Sequence, residues 1–350
     1  MWQVYGQAHI LRQIEARLKR GHLPHALLLV GPPHVGKMTL AIDLAQAVNC
    51  LEPDPSPCGA CSQCLRISQG QHAAVRVIGV GQNPSDGPAR TVIGIDDIKD
   101  ILRQVSLNPY EGSCTVIIFD GAEFMSEEAA NAVLKTLEEP PPQVMFVLLT
   151  ANETSVLPTI QSRCSRFTLL PVPLAEVAER LVSDYAAGAE ESESLARLSR
   201  GCLGWAITAQ KDPGSMQDLN LELDRLKTVC ESGLAGRFAY AAEVATLFSK
   251  DRDAGRQTLY LWLRWWRDLL LIKEGAEAYT HVSDRLLELQ VLAGALSTAQ
   301  VVDFVKRVQA ALEALDRNAN PRLAMENLMI NLPLEVSAVH RTAALEAVKP

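Results

Sequence analysis

Between residues 22 and about 170 the chain alternates short, continuous apolar runs with segments whose apolar residues recur at helical spacing. Ala26 to Val30, Val75 to Val80, Val116 to Phe119, Met145 to Thr150 and Phe167 to Leu170 are predicted as buried strands, each being short and rich in Val, Ile or Leu. Leu40, Ala41, Leu44, Ala45 and Val48 share one face of a predicted helix, and Ala130, Val133, Leu134 and Leu137 share a face of another. Ser126 is placed to cap the second, with Glu127 and Glu128 in its first turn, and Pro140, Pro141 and Pro142 end it. Strands alternating with helices imply parallel βαβ units covered on both faces, with ligands at the C-terminal ends of the strands. Gln82 to Ala89, carrying Pro84, Gly87 and Pro88, reads as a surface loop.

After Pro171 and Pro173 the strand signals stop. Residues 174 to 210 are expected to form a small helical unit, Asp212-Pro213-Gly214-Ser215 a linker, and 216 to 333 a separate all-helical domain. The divisions expected are 1–170, 171–212, 213–333 and a weakly patterned tail, 334–350. Neither an internal repeat nor a low-complexity tract interrupts this order.

At roughly 100 to 200 residues per domain, 350 residues are enough for two or three cores, so metal or disulfide staples are optional for folding. The composition, 48% hydrophobic and 21% charged, excludes disorder and fibre. A net charge of -8 lacks the basic excess of a stand-alone nucleic-acid binder, so any DNA contact has to be local or shared. No stretch approaches the ~18 consecutive apolar residues of a membrane span, and Arg264, Arg267 and Asp268 interrupt the most apolar segment. The N-terminal residues lack a signal-peptide core, so the expectation is no membrane association and a cytoplasmic location, where thiols stay reduced.

Directly after the strand Ala26–Val30 comes Gly31-Pro32-Pro33-His34-Val35-Gly36-Lys37-Met38-Thr39, leading into a helix. Strand, glycine loop, lysine and helix are the context of a phosphate-binding P-loop: backbone N–H groups and the helix N-terminus hold phosphate, and Lys37 neutralises it. The residue after the lysine should be Ser or Thr, whose hydroxyl ligates Mg²⁺; here it is Met38, a thioether unsuited to a hard cation. Thr39 lies one position on, rotated by about 100°. Val116 to Asp120 supplies the strand-end Asp of a Mg²⁺ shell, but Gly121 stands where the water-polarising Glu is expected, and Glu123 is two residues further along. Nucleotide binding is the expectation and efficient hydrolysis is not.

Cys50, Cys58, Cys61 and Cys64 place half of the eight cysteines within fifteen residues. Four clustered thiols in a reducing compartment point to a closed, structural Zn²⁺ site. An iron–sulfur cluster and free thiols are the alternatives; no downstream Cys-Pro supports the cluster. Ser162-Arg163-Cys164 precedes the last predicted strand, and an Arg at an exposed domain edge can reach the γ-phosphate of a neighbouring subunit. Taken alone it is a solvated side chain. Trp262, Trp265 and Trp266 form a helical stripe expected in core or subunit-interface packing.

The motifs in order are Val4-Tyr5-Gly6-Gln7, His25 to Leu28, the P-loop, the four cysteines after its helix, Ile95 to Ile98, Asn131 to Pro141 and Ser162 to Cys164. This succession resembles the bacterial clamp-loader subunits of the AAA+ superfamily from about residue 4 to 333. The resemblance implies an α/β fold: a RecA-like AAA+ P-loop domain with an inserted zinc module, a small helical lid, and an all-α C-terminal collar through which five subunits form an open ring. That ring places the sliding clamp on primer-template DNA. ATP-hydrolysing gamma/tau members carry Ser or Thr after the P-loop Lys, Glu after the strand-end Asp, and an Arg in the lid; this chain has Met38, Gly121 and Gly204 there. It keeps Arg163, and Asn318 to Glu326 fits the family's collar. The combination resembles the delta-prime type, which donates an arginine finger in trans to an adjacent gamma/tau subunit, with gamma/tau and delta subunits as partners. Gly31, Gly36, Lys37, Thr39 and Asp120 are then the nucleotide-facing residues, with ATP binding left open and Mg²⁺ ligation impaired. An active motor using Thr39 and Glu123 is the rival within the family; a small-molecule P-loop kinase and a zinc enzyme are rivals outside it.

Overall fold

The computed structural model describes residues 1–52, 56–80, 92–105, 112–281, 285–317 and 319–333. The expected loop Gln82–Ala89 and the tail from residue 334 fall outside the described residues. Two compact units result: Met1–Val177 with Gly201–Ala206, and Ala178–Arg200 with Ile207–Pro350.

The first unit begins with α1 (Ala8–Lys19), β1 (Ala26–Val30), α2 (Lys37–Asn49), α3 (Ser62–Ser68) and β2 (Val75–Gly79). It continues with α4 (Ile95–Val105), β3 (Thr115–Asp120), α5 (Glu127–Glu138), β4 (Val144–Thr150), the short α6 (Pro158–Gln161) and β5 (Ser165–Thr168). The strands form one parallel sheet in the order β2-β3-β4-β1-β5. Every residue of β1 and β4 is buried, as their continuous apolar runs predict for central strands covered on both faces. Each such Leu, Ile or Val stabilises the fold by roughly 1.5–3 kcal/mol. One face packs beneath Leu40, Leu44 and Ile14, the other beneath Ala130, Val133 and Leu137. Ser126 caps α5 as expected, its Oγ accepting from the Ala129 N–H at 3.1 Å.

Three expectations change. β2, expected to be buried, is an edge strand with no buried residue, Arg76 and Val77 being exposed, because only β3 lies beside it. The last strand is Ser165–Thr168 rather than Phe167–Leu170, because Ser165 and Arg166 pair with Leu27 and Leu28 of β1, and ladder pairing does not require apolar side chains. The expected linker Asp212–Ser215 is a helix start: Asp212 caps α10 (Pro213–Glu231), accepting from the Gly214 N–H at 3.0 Å, and Pro213 occupies the first turn, where a missing N–H is harmless.

Helices α7 (Leu174–Tyr185), α8 (Ala189–Ser199) and α9 (Leu203–Lys211) occupy the region expected to be a small helical unit. The remainder is helical: α11 (Leu234–Lys250), α12 (Arg252–Lys273), α13 (Leu286–Ala295), α14 (Thr298–Asp316) and α15 (Pro321–Ile330). Trp262, Trp265 and Trp266 are 0% exposed, with Trp266 4.4 Å and Trp262 5.8 Å from the Phe304 ring centroid. Between core and interface packing, the stripe is therefore core. Among the described residues no helix is long and apolar enough to cross a membrane.

Candidate nucleotide, metal and trans-acting sites

In the sheet β3, β4 and β1 are neighbours, so their C-terminal ends at Asp120, Thr150 and Val30 lie side by side. The P-loop leaves β1 there and enters α2. The Gly31 N–H donates to the Thr150 carbonyl at 3.2 Å, and a Cβ at 31 would stand 2.8 Å from the Leu169 oxygen. Gly36 caps α2 with φ +104°, a conformation that favours glycine. Lys37 lies back over the loop, its Nζ donating to the carbonyls of Gly31 at 2.7 Å and Pro32 at 2.8 Å. Burial lowers its pKa; the carboxylates of Glu123 and, to a smaller extent, Asp120 oppose that. The structure thus brings Gly31, Gly36, Lys37 and Asp120 into one neighbourhood.

Thr39 is exposed, and Met38 is half-buried against the apolar cluster of Val35, Leu40 and Ala41. No hydroxyl adjoins Lys37 in sequence, so the residues present fit a phosphate group better than a Mg²⁺ shell. Glu123 is held by its Oε1, which accepts from the Ala151 N–H at 3.0 Å, while its Oε2 is buried without a hydrogen-bond partner. Sequence spacing ranked this carboxylate behind Asp120; its larger effect on Lys37 arises from the turn after β3. That turn depends on Gly121, whose φ is +87° and whose added Cβ would lie 2.4 Å from the Phe124 ring. Gly204, at the start of α9, donates its N–H to the His34 carbonyl at 3.0 Å, and a Cβ there would stand 2.8 Å from the same oxygen. The lid position where the resemblance calls for an arginine therefore packs backbone against the P-loop.

The Sγ atoms of Cys50, Cys58, Cys61 and Cys64 all lie within 4.8 Å of one another. Tetrahedral zinc with Zn–S bonds of about 2.3 Å implies sulfur separations of about 3.8 Å, so the donor set fits that ion. The backbone N–H groups of Cys58, Ala60, Cys61 and Cys64 point over 3.3–3.5 Å at the sulfurs of Cys50, Cys58 and Cys61. None of the eight cysteines, all of them among the described residues, forms a disulfide.

Arg163 follows α6. Its Nη1 donates to the Thr159 carbonyl at 2.9 Å and the Ser162 Oγ at 3.3 Å, and its Nη2 forms an ion pair with Glu138, the last residue of α5. Glu138 belongs to the Asn131–Pro141 motif, yet its partner lies 25 residues away and nothing in local spacing announces the pair.

Comparison with known proteins agrees with this organisation. Residues 6–173 match the family described as DNA polymerase III, delta subunit, and residues 224–333 match its C-terminal counterpart. DNA polymerase III subunit gamma of Buchnera aphidicola is 31% identical over 216 residues, 61% of this chain and 54% of the relative. Subunit gamma/tau of Mycobacterium bovis is 26% identical over 375 aligned positions, 99% of this chain and 63% of the relative. Subunit tau of Salmonella typhimurium is 34% identical over 204 residues, 57% of this chain and 30% of the relative. The chain thus spans less than two thirds of the length of each. A crystal structure of a DNA polymerase III gamma subunit-related protein from Thermotoga maritima is 20% identical, covering 95% of this chain and 99% of that one with a TM-score of 0.44. Matched through both its α/β part and its helical part, the chain resembles DNA polymerase III subunits of the clamp-loader family.

Proposed function

We propose that the chain is a delta-prime-type subunit of a DNA polymerase III clamp loader, a largely non-hydrolysing AAA+ stator that lends Arg163 to the ATP site of an adjacent gamma/tau-type subunit. The observation that carries this reading is a mismatch. The P-loop frame is intact, while Met38, Gly121 and Gly204 stand where hydroxyl, carboxylate and cation are required, and Arg163 stays partly exposed beyond the sheet. Those missing groups act on the charge of the transition state, and each is worth several kcal/mol. When ATP is bound, Gly31, Gly36 and the N-terminus of α2 would hold its phosphates and Lys37 would leave the loop carbonyls to meet them, with Thr39 and Asp120 nearby. Zn²⁺ held by Cys50, Cys58, Cys61 and Cys64 would be structural, since four thiolates leave no position for water.

In this assignment residues 171–212 serve as lid and 213–333 as collar, and the working assembly contains delta and gamma/tau subunits, the sliding clamp and primer-template DNA. Replacing Arg163 by Ala in the reconstituted complex is expected to lower DNA-stimulated ATP turnover by the partner subunits by about 10³-fold, the lower range for an arginine finger. Unchanged turnover would defeat the trans role. A motor reading is favoured by the relatives named gamma/tau and by the closeness of Glu123 to Lys37. Isolated chain turning over Mg-ATP at about 1 s⁻¹, the low end of ordinary enzymes, would establish the motor instead.

A further inference from the structure

Arg163 is not free in the chain that carries it. Nη1 is fixed by the Thr159 carbonyl, four residues before it, and the hydroxyl of the adjacent Ser162, and Nη2 reaches across to the carboxylate of Glu138. The backbone on both sides of this ion pair is anchored, because Leu137 beside Glu138, and Ile160 and Cys164 beside Arg163, pack in the same apolar cluster. The two charged groups are therefore held at a set spacing, and only their side chains can rearrange. Glu138 also stands at an awkward place for an acid. It closes α5, where the helix dipole is negative and favours a cation, so its carboxylate depends on the guanidinium for compensation.

We propose that Glu138 is a positioning residue that restrains Arg163 in the unengaged chain and releases it when the triphosphate of a neighbouring subunit competes for the same guanidinium face. The inference rests on the trans-acting reading of Arg163. The chemistry of the exchange is simple: a triphosphate offers several anionic oxygens in the bidentate geometry that a guanidinium prefers, against one carboxylate. The strength of the restraint suits a release step. Side-chain exposure of 34% for Arg163 and 51% for Glu138 makes this a solvent-screened pair, which biases a side chain by no more than about fivefold and yields readily to a multiply charged competitor. Both nitrogens belong to one rigid guanidinium plane, so release from Glu138 also frees Nη1 from Thr159 and Ser162, and the side chain swings about its aliphatic stem.

The test uses the complete complex assembled with gamma/tau-type and delta subunits, containing wild-type chain, Glu138→Gln, Arg163→Ala or both substitutions. The measurement is ATP turnover in the presence of clamp and primed DNA. Glu138→Gln keeps the shape and removes the charge, and the expected result is an apparent KM for ATP lower by about two- to fivefold. This gain should shrink as salt rises and should vanish in the Arg163→Ala background. A Glu138→Gln complex with unchanged KM, or a change that survives in the Arg163→Ala background, overturns the restraint while leaving the trans role standing. No loss of turnover in Arg163→Ala alone overturns both. If the Gln variant assembles poorly, Glu138→Ala provides the second arm, with the same sign and the same dependence on Arg163 expected.

Discussion

Asp43 shows how one side chain can work against the stability of its own domain. It lies on α2, 1% exposed, with Oδ2 accepting from the N–H groups of Gln3 at 2.8 Å and Val4 at 2.9 Å, and with Oδ1 buried and unpartnered. Burial pushes its pKa up to about 6 from 3.8, and the two backbone donors only partly counter that. A carboxyl whose folded pKa is raised binds its proton more tightly in the folded state. Its favourable contribution is fully present below about pH 4 and is lost as pH rises through about 6, a change on the order of 2–3 kcal/mol at 1.36 kcal/mol per unit. Asp43→Asn resembles the protonated form and still offers an oxygen to Gln3 and Val4. Thermal unfolding between pH 4 and 8 should show the variant matching wild type at the acid end and melting several degrees higher at neutral pH. A difference independent of pH would mean that Asp43 is held differently.

Among the elements, the cysteine module offers a clean separation of roles. Cys61 caps α3 as well as belonging to the sulfur cluster, its Sγ accepting from the Cys64 N–H at 3.5 Å. Serine is itself a good cap, so Cys61→Ser keeps the helix start and removes only a proposed metal ligand. The expected outcome is loss of the equimolar zinc measured by mass spectrometry and a lower melting temperature, with ATP binding retained; equal metal content in both proteins would refute zinc ligation by Cys61. The cysteine cluster was legible in the sequence because its four thiols are close along the chain, and so was the existence of five strands, whose apolar runs need no distant information. The bounds of β5 were not legible, since the polar Ser165 and Arg166 pair with β1 while the apolar pattern runs on to Leu170, beyond the last bond to β1 from the Leu169 N–H. Nor were the contacts of Gly204 with His34 and of Arg163 with Glu138, which join positions remote in sequence through the course of the backbone. Pro213 misled for another reason: the same residue that breaks a helix interior begins one comfortably.

For the whole molecule, charge sets the terms of DNA binding. Thirty-three basic against 41 acidic side chains release few counterions from a duplex, so the isolated chain is expected to bind DNA no more tightly than the weak end of non-specific affinities, about 100 µM at physiological salt. Fluorescence anisotropy with a primed template checks this, and saturable binding near 1 µM would indicate a basic surface that the net charge conceals. The close backbone approaches around the P-loop carry a consequence for anyone who tries to re-arm it. Adding a carboxylate at 121 drives a side chain into the Phe124 ring, and adding a guanidinium at 204 drives one into the His34 oxygen. Each repair made singly is worse than none, so laboratory selection by stepwise mutation faces a valley here, and only a transplant of several segments together would cross it.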